Sequence, residues 1–155
     1  MAQYFPREIR ALGAVPPNNI GGEPGVGDRP RLYRATIELD KPWLNDTSFG
    51  AQILTTDTVL LAKVPPGMRF LYGMLTTSVS LGTSTIAIGI AGTTGLYRAA
   101  AVFTAVNPPT LFGTAAGMDV SYLTAEQSII LTTATAALPN GADNTLIVDL
   151  YFGNV

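Results

Sequence analysis

From residue 32 onward the chain is cut repeatedly by Pro, Gly or Asn, and the apolar runs it holds are too short for long helices. Several of these runs alternate. In 32–39, Tyr33, Ala35, Ile37 and Leu39 face one way and Leu32, Arg34, Thr36 and Glu38 the other, so that apart from Leu32 one side is polar. A period of two with one polar side is the mark of a half-buried strand. In 145–152, Leu146, Val148, Leu150 and Phe152 share a face. In 85–91, Ile86, Ile88 and Ile90 oppose Ala87, Gly89 and Ala91, residues small enough to let another backbone approach closely. The runs 57–64, 68–77 and 128–134 complete the set. Pro65, Pro66 and Gly67 predict a tight turn; 81–84, 92–95 and 107–109 predict breaks; Asn140-Gly141 within 139–144 predicts a wide hairpin loop. In 96–104 a short helix competes with a strand, since Ala99, Ala100 and Ala101 favour the former and Val102, Phe103 and Thr104 the latter. Residues 110–119 read as a long loop. Six or more strands with little helix predict an all-β fold, an antiparallel β-sandwich or jelly-roll-like barrel.

The 155 residues suit one domain. Charged residues make up 13 %, about half the ~25 % usual for a soluble protein. From residue 70 to the end the only charges are Arg98, Asp119, Glu126, Asp143 and Asp149. Part of such a surface is not built to face water. No apolar run approaches the ~20 residues of a membrane helix, so burial against protein is expected and no membrane. The opening residues 1–8 lack a basic start, an apolar core and a cleavage site, which predicts synthesis in a cytoplasm.

Catalysis finds few tools here. There is no cysteine for a disulfide, thiolate or nucleophile, and no histidine, the commonest metal ligand and near-neutral base. Lys41 and Lys63 stand in no Ser-x-x-Lys spacing, and the glycines of 21–27 lack the Lys-Ser/Thr and the following helix of a phosphate loop. Asp143 and Asp46 belong to no spaced calcium loop. The expectation is no enzyme, no cofactor and no metal. One alternative needs only acids and aromatics. Glu38 and Asp40, or Asp46 and Asp57 flanking the loop of Trp43, suggest a glycan-binding β-sandwich module with Trp43, Tyr72 or Tyr97 as stacking platforms. A formal charge of −2 gives no reason for direct nucleic-acid binding.

Residues 1–31 read as an extended Pro/Gly-rich N-terminal arm on a β-sandwich body of residues 32–155. Pro6, Pro16, Pro17, Pro24 and Pro30 and five glycines exclude regular helix or strand. Yet Tyr4, Phe5, Ile9, Leu12, Val15 and Ile20 are too many apolar anchors for a solvated tail. Residues 1–35 carry five arginines against three acids, whereas the remainder carries four bases against eight acids. A mildly basic arm can dock on an acidic neighbour or pack on its own domain. The residues expected to bind a partner are therefore Tyr4, Phe5, Ile9, Arg10, Leu12, Arg29 and Arg31, with Trp43 as an interface anchor.

The succession 61–68 (Leu-Ala-Lys-Val-Pro-Pro-Gly-Met), 73–75 (Gly-Met-Leu), 81–92 (Leu-Gly-Thr-Ser-Thr-Ile-Ala-Ile-Gly-Ile-Ala-Gly), 97–100 (Tyr-Arg-Ala-Ala), 123–126 (Leu-Thr-Ala-Glu) and 129–132 (Ile-Ile-Leu-Thr) resembles small structural proteins of tailed bacteriophages, namely head decoration (cement) proteins. The resemblance spans residues 57–152. It implies a virion protein made in the host cytoplasm, self-associating as a homotrimer, that binds the outside of the major capsid protein lattice and stabilises the head. Neck and tail proteins share some of its motifs, and another virion structural component, a coat, neck or tail protein, is the alternative.

Overall fold

Where the sequence alternates, the backbone extends, and each pleat is completed by a neighbour distant in the chain. The computed structural model describes residues 3–4, 30–40, 52–119 and 122–154. In chain order its strands are β1 (Gln3–Tyr4), β2 (Arg31–Glu38), β3 (Thr58–Val64), β4 (Met68–Thr77), β5 (Thr85–Ile90), β6 (Thr93–Val102), β7 (Thr110–Phe112), β8 (Gln127–Ala134) and β9 (Thr145–Asn154), with a short helix, α1 (Ala115–Asp119), between β7 and β8. A front sheet has the order β2-β9-β4-β7 and a back sheet the order β1-β3-β8-β5-β6. Apart from the two-residue β1, which runs parallel to β3, every pairing is antiparallel.

The connectivity is regular. β2 pairs with β9, β3 with β8, β4 with β7 and β5 with β6, so strands counted inward from the two ends of the body meet as partners. Rolling that ribbon brings β4 against β9 and β5 against β8, which is the jelly-roll form of the sandwich. The apolar faces foreseen for β2, β5 and β9 are the ones that meet inside. Ile37, Ile86, Ile88, Leu146, Val148 and Phe152 are buried, together with Leu61, Val64, Phe70, Leu75, Ile129 and Leu131. An aromatic group sits at the centre. Phe70 lies 4.4 Å from Tyr97 and 5.5 Å edge-on from Phe152, measured between ring centroids, which are favourable offsets for aromatic pairs.

Local chemistry fixes the corners. Gly67 supplies φ +83° after Pro66, the combination a type II turn requires between β3 and β4. On the far side of β5, the Thr93 carbonyl and the Thr94 backbone occupy the space that a side chain on Gly89 would need, so the small-residue face does admit close backbone. Ser84 N–H closes the 81–84 turn onto the Leu81 carbonyl at 3.2 Å.

Four expectations change and one open choice closes. Residues 1–31, expected to hold no strand, contain β1 and the first residue of β2. Residues 96–104 do not form a helix: 96–102 belong to β6, because pairing with β5 and burial of Tyr97 outweigh the alanines. The break at 92–95 shrinks to a turn at Ala91 and Gly92. Residues 110–119 hold β7 and α1 rather than a loop, a strand of three residues being too short to leave a periodic trace. Asn140-Gly141 makes no hairpin, since β8 and β9 lie in different sheets and the segment crosses between them. The loop of Trp43 lies outside the described residues.

Candidate interaction surface

The alternation that sends Leu146, Val148, Leu150 and Phe152 inward sends Ile147, Asp149 and Tyr151 outward, onto the exterior of the front sheet. Strand register sets their neighbours in rows. Leu32, Tyr151 and Tyr72 form one row, Arg34, Asp149, Met74 and Leu111 the next, and Thr36, Ile147 and Thr76 a third. Antiparallel sheets that face water on one side are polar on that side. This one is not: Leu32 is 43 % exposed, Tyr72 38 % and Leu111 68 %. The Tyr72 and Tyr151 rings stack at 4.5 Å and 20°, giving a rigid aromatic plate.

Beside the plate runs an open apolar groove lined by Tyr72, Met74, Leu111, Phe112, Gly113 and Met118. Phe112 turns inward, its ring occupying the space above Gly73 that any side chain there would fill. α1 brings Met118 to the rim. Its first turn is capped by Thr114, whose hydroxyl accepts the Gly117 N–H at 2.9 Å and itself donates to the Leu96 carbonyl, fixing the helix to β6. Nearby, the Arg69 guanidinium lies over the Tyr122 ring, 5.8 Å from its centroid.

One ion pair interrupts the apolar rows. Arg34 Nε and Nη2 donate to Asp149 Oδ1 and Oδ2, each at 2.7 Å, across directly opposed positions of β2 and β9. The Asp149 side chain is 7 % exposed and that of Arg34 55 %. A bidentate pair of this geometry satisfies both carboxylate oxygens before anything covers it. A partner laid on the rows therefore buries two charges already neutralised and hydrogen-bonded to one another.

Other polar chemistry is structural. Burial among Phe70 and Phe152 raises the Tyr97 pKa above its ordinary value. Burial lowers that of Arg98, whose guanidinium donates to the Ile86, Ala101, Val102 and Ala99 carbonyls along the irregular β5–β6 register. Asp57 is buried and accepts the Leu54 N–H at 2.9 Å, closing a turn. Among the described residues, no three of His, Cys, Asp and Glu gather to hold a metal.

Of the residues expected to bind a partner, the structure places two. Arg31 opens β2 opposite Phe152 and is half-buried, and the backbone of Tyr4 pairs with Val59. Phe5, Ile9, Arg10, Leu12, Arg29 and Trp43 lie outside the described residues. Tyr97, a stacking platform on the glycan alternative, is 1 % exposed and cannot meet a sugar, whereas Tyr72 is open but already stacked. The front-sheet exterior escaped the sequence reading. Its signals were Leu32, the apolar exception on the polar side of β2, and Ile147 and Tyr151 opposite the core face of β9.

No protein-family model and no curated protein sequence matches this chain. Solved structures do. The fold is similar to that of a chain in the capsid of Ralstonia phage GP4, with a TM-score of 0.67, 13 % identity, and 99 % of both chains covered. A chain in the capsid asymmetric unit of cyanophage Pam1 gives 0.61 at 18 % identity, over 89 % of this chain and 95 % of that one. One in the acid-stable capsid of the Helicobacter pylori bacteriophage KHP30 gives 0.53 at 11 %, over 80 % and 86 %. What the likeness establishes is the fold: over nearly its whole length, this chain is shaped like chains found in phage capsids.

Proposed function

We propose that this protein is a structural component of a phage virion and, within that class, a head decoration protein that binds the outer surface of the major capsid protein lattice and stabilises the head. The observation that carries the reading is the end-to-end likeness to a chain of the GP4 capsid, which covers 99 % of each partner and so matches size as well as fold. The charge economy of the body supports it. A front-sheet exterior whose ion pair is internally matched can be desolvated against a lattice without stranding a charge, the usual penalty for burying polar surface. Repeated copies on a symmetric shell turn weak single contacts into strong retention. Tyr4, Phe5, Ile9, Arg10, Leu12, Arg29, Arg31 and Trp43 stay in this reading as further partner contacts, and self-association as a homotrimer is part of it.

Quantifying the chain in purified particles tests the proposal. A decoration protein is present at a copy number comparable to that of the lattice subunit, and stripping it leaves intact heads that rupture at lower temperature. Absence from particles overturns the virion assignment. A copy number fitting a single ring assigns the chain to the neck or tail instead.

A further inference from the structure

The back sheet ends in an unusual edge. β3 is buried on both faces, only Lys63 standing out, and its outer edge is met by β1 over two residues, Gln3 opposite Thr58 and Tyr4 opposite Val59. Leu60 to Val64 continue past that pairing. The N–H and C=O groups along a sheet edge are a template for further strand addition. Two residues of ladder make a weak clasp, since each hydrogen bond exchanged with water contributes little net stability.

The residues joining this clasp to β2 outnumber those needed to link the two attachment points directly. Arg31 is level with Phe70 through their common partner Phe152, at the end of the sandwich where β3 turns into β4, whereas β1 pairs at the opposite end of β3. β2 packs against β3 across the sandwich. One strand length plus one sheet spacing, roughly 25 Å, separates the two attachment points. The 26 residues 5–30 span up to about 90 Å when extended.

From the weak clasp and the surplus length we infer that the β3 edge is an exchange site for a second copy of this chain: in the self-associated protein, Gln3–Tyr4 of one copy pairs with Thr58–Val59 of its neighbour. The exchanged pairing conserves every contact of the closed one, so its occupancy follows the local concentration of neighbouring edges. The inference rests on the self-association in the functional reading and not on the capsid.

The absence of cysteine makes it directly testable, because any disulfide formed is an introduced one. Gln3→Cys in one preparation and Thr58→Cys in another, mixed at high concentration under mild oxidation, are expected to give an interchain product at twice the 16.3 kDa of one chain. Gln3→Cys with Thr58→Cys in a single chain serves as the control for pairing. Intrachain closure in the double variant with no interchain product in the mixture overturns exchange, and so does no disulfide in either. Sedimentation of the unmodified protein separates the causes: an oligomer without interchain disulfide leaves self-association standing, and a monomer removes both.

Discussion

Both sheets carry apolar residues on their outer sides, yet those residues end in opposite states. On the back sheet Leu60, Ala87 and Ile130 alternate away from the core and are nonetheless buried within the chain. On the front sheet Leu32, Tyr72 and Leu111 occupy the equivalent positions and stand open. A strand apolar on both faces announces that both will be covered, but not by what. Here the back exterior is buried within the chain, and the front exterior stands open.

The sharpest way to break this comparison is one charge placed on each exterior. Ile130→Asp buries a carboxylate without a partner and is expected to cost at least about 3 kcal/mol, read as lost soluble protein or a large drop in Tm. Leu111→Asp is expected to change the stability of the isolated protein by less than about 0.5 kcal/mol while abolishing its retention on particles. Equal unfolding by both would make the front exterior part of the fold rather than a contact surface. The next effect isolates the ion pair. Arg34→Ala leaves the Asp149 carboxylate nearly buried and unmatched, for a loss of about 2 kcal/mol in denaturant titration. Adding Asp149→Leu should recover most of that loss, since replacing both partners removes the stranded charge.

A third test probes the core that the two sheets share. With its pKa raised by burial, the Tyr97 phenol binds its proton more tightly folded than unfolded. Its contribution is fully present below the ordinary phenol value of about 10 and is lost as pH rises through the folded value. Tyr97→Phe should therefore flatten the decline in stability above about pH 10. The smallest effect belongs to the turn before β3. Thr56 holds φ +74°, a conformation that costs a β-branched residue about 1 kcal/mol. Thr56→Gly removes that strain against a comparable entropic cost and should shift stability by no more than about 1 kcal/mol, in the favourable direction. A clear loss would show that the threonine side chain contributes more than its strain removes.

Most of the fold was legible because it is written locally. The inward faces of β2, β5 and β9, the turns at 65–67 and 81–84, and the close approach over Gly89 each follow from a few adjacent residues. What escaped depends on distant ones. β7 is three residues long and exists because Gly73 leaves room for Phe112. Asn140-Gly141 has hairpin chemistry, but β8 is already claimed by β3 and β5. The candidate surface was harder still. The Pro/Gly punctuation and the arginines drew the sequence reading to the arm, whereas the apolar front rows are spread over four strands and become neighbours only through register.

The pairing of β2 with β9 has a consequence for how this molecule is made. β9 is the last strand in the chain, yet it is the central one beside β2 in the front sheet, bonded on both sides. On the ribosome, β2 and β4 emerge with the strand that joins them still unsynthesised, and the front sheet holds no more than the β4–β7 pair until residues 145–154 are free. Folding of such a topology is dominated by long-range closure and is correspondingly slow. During that interval the apolar exteriors are exposed together, so the nascent chain is most prone to aggregate just before β9 closes the sandwich.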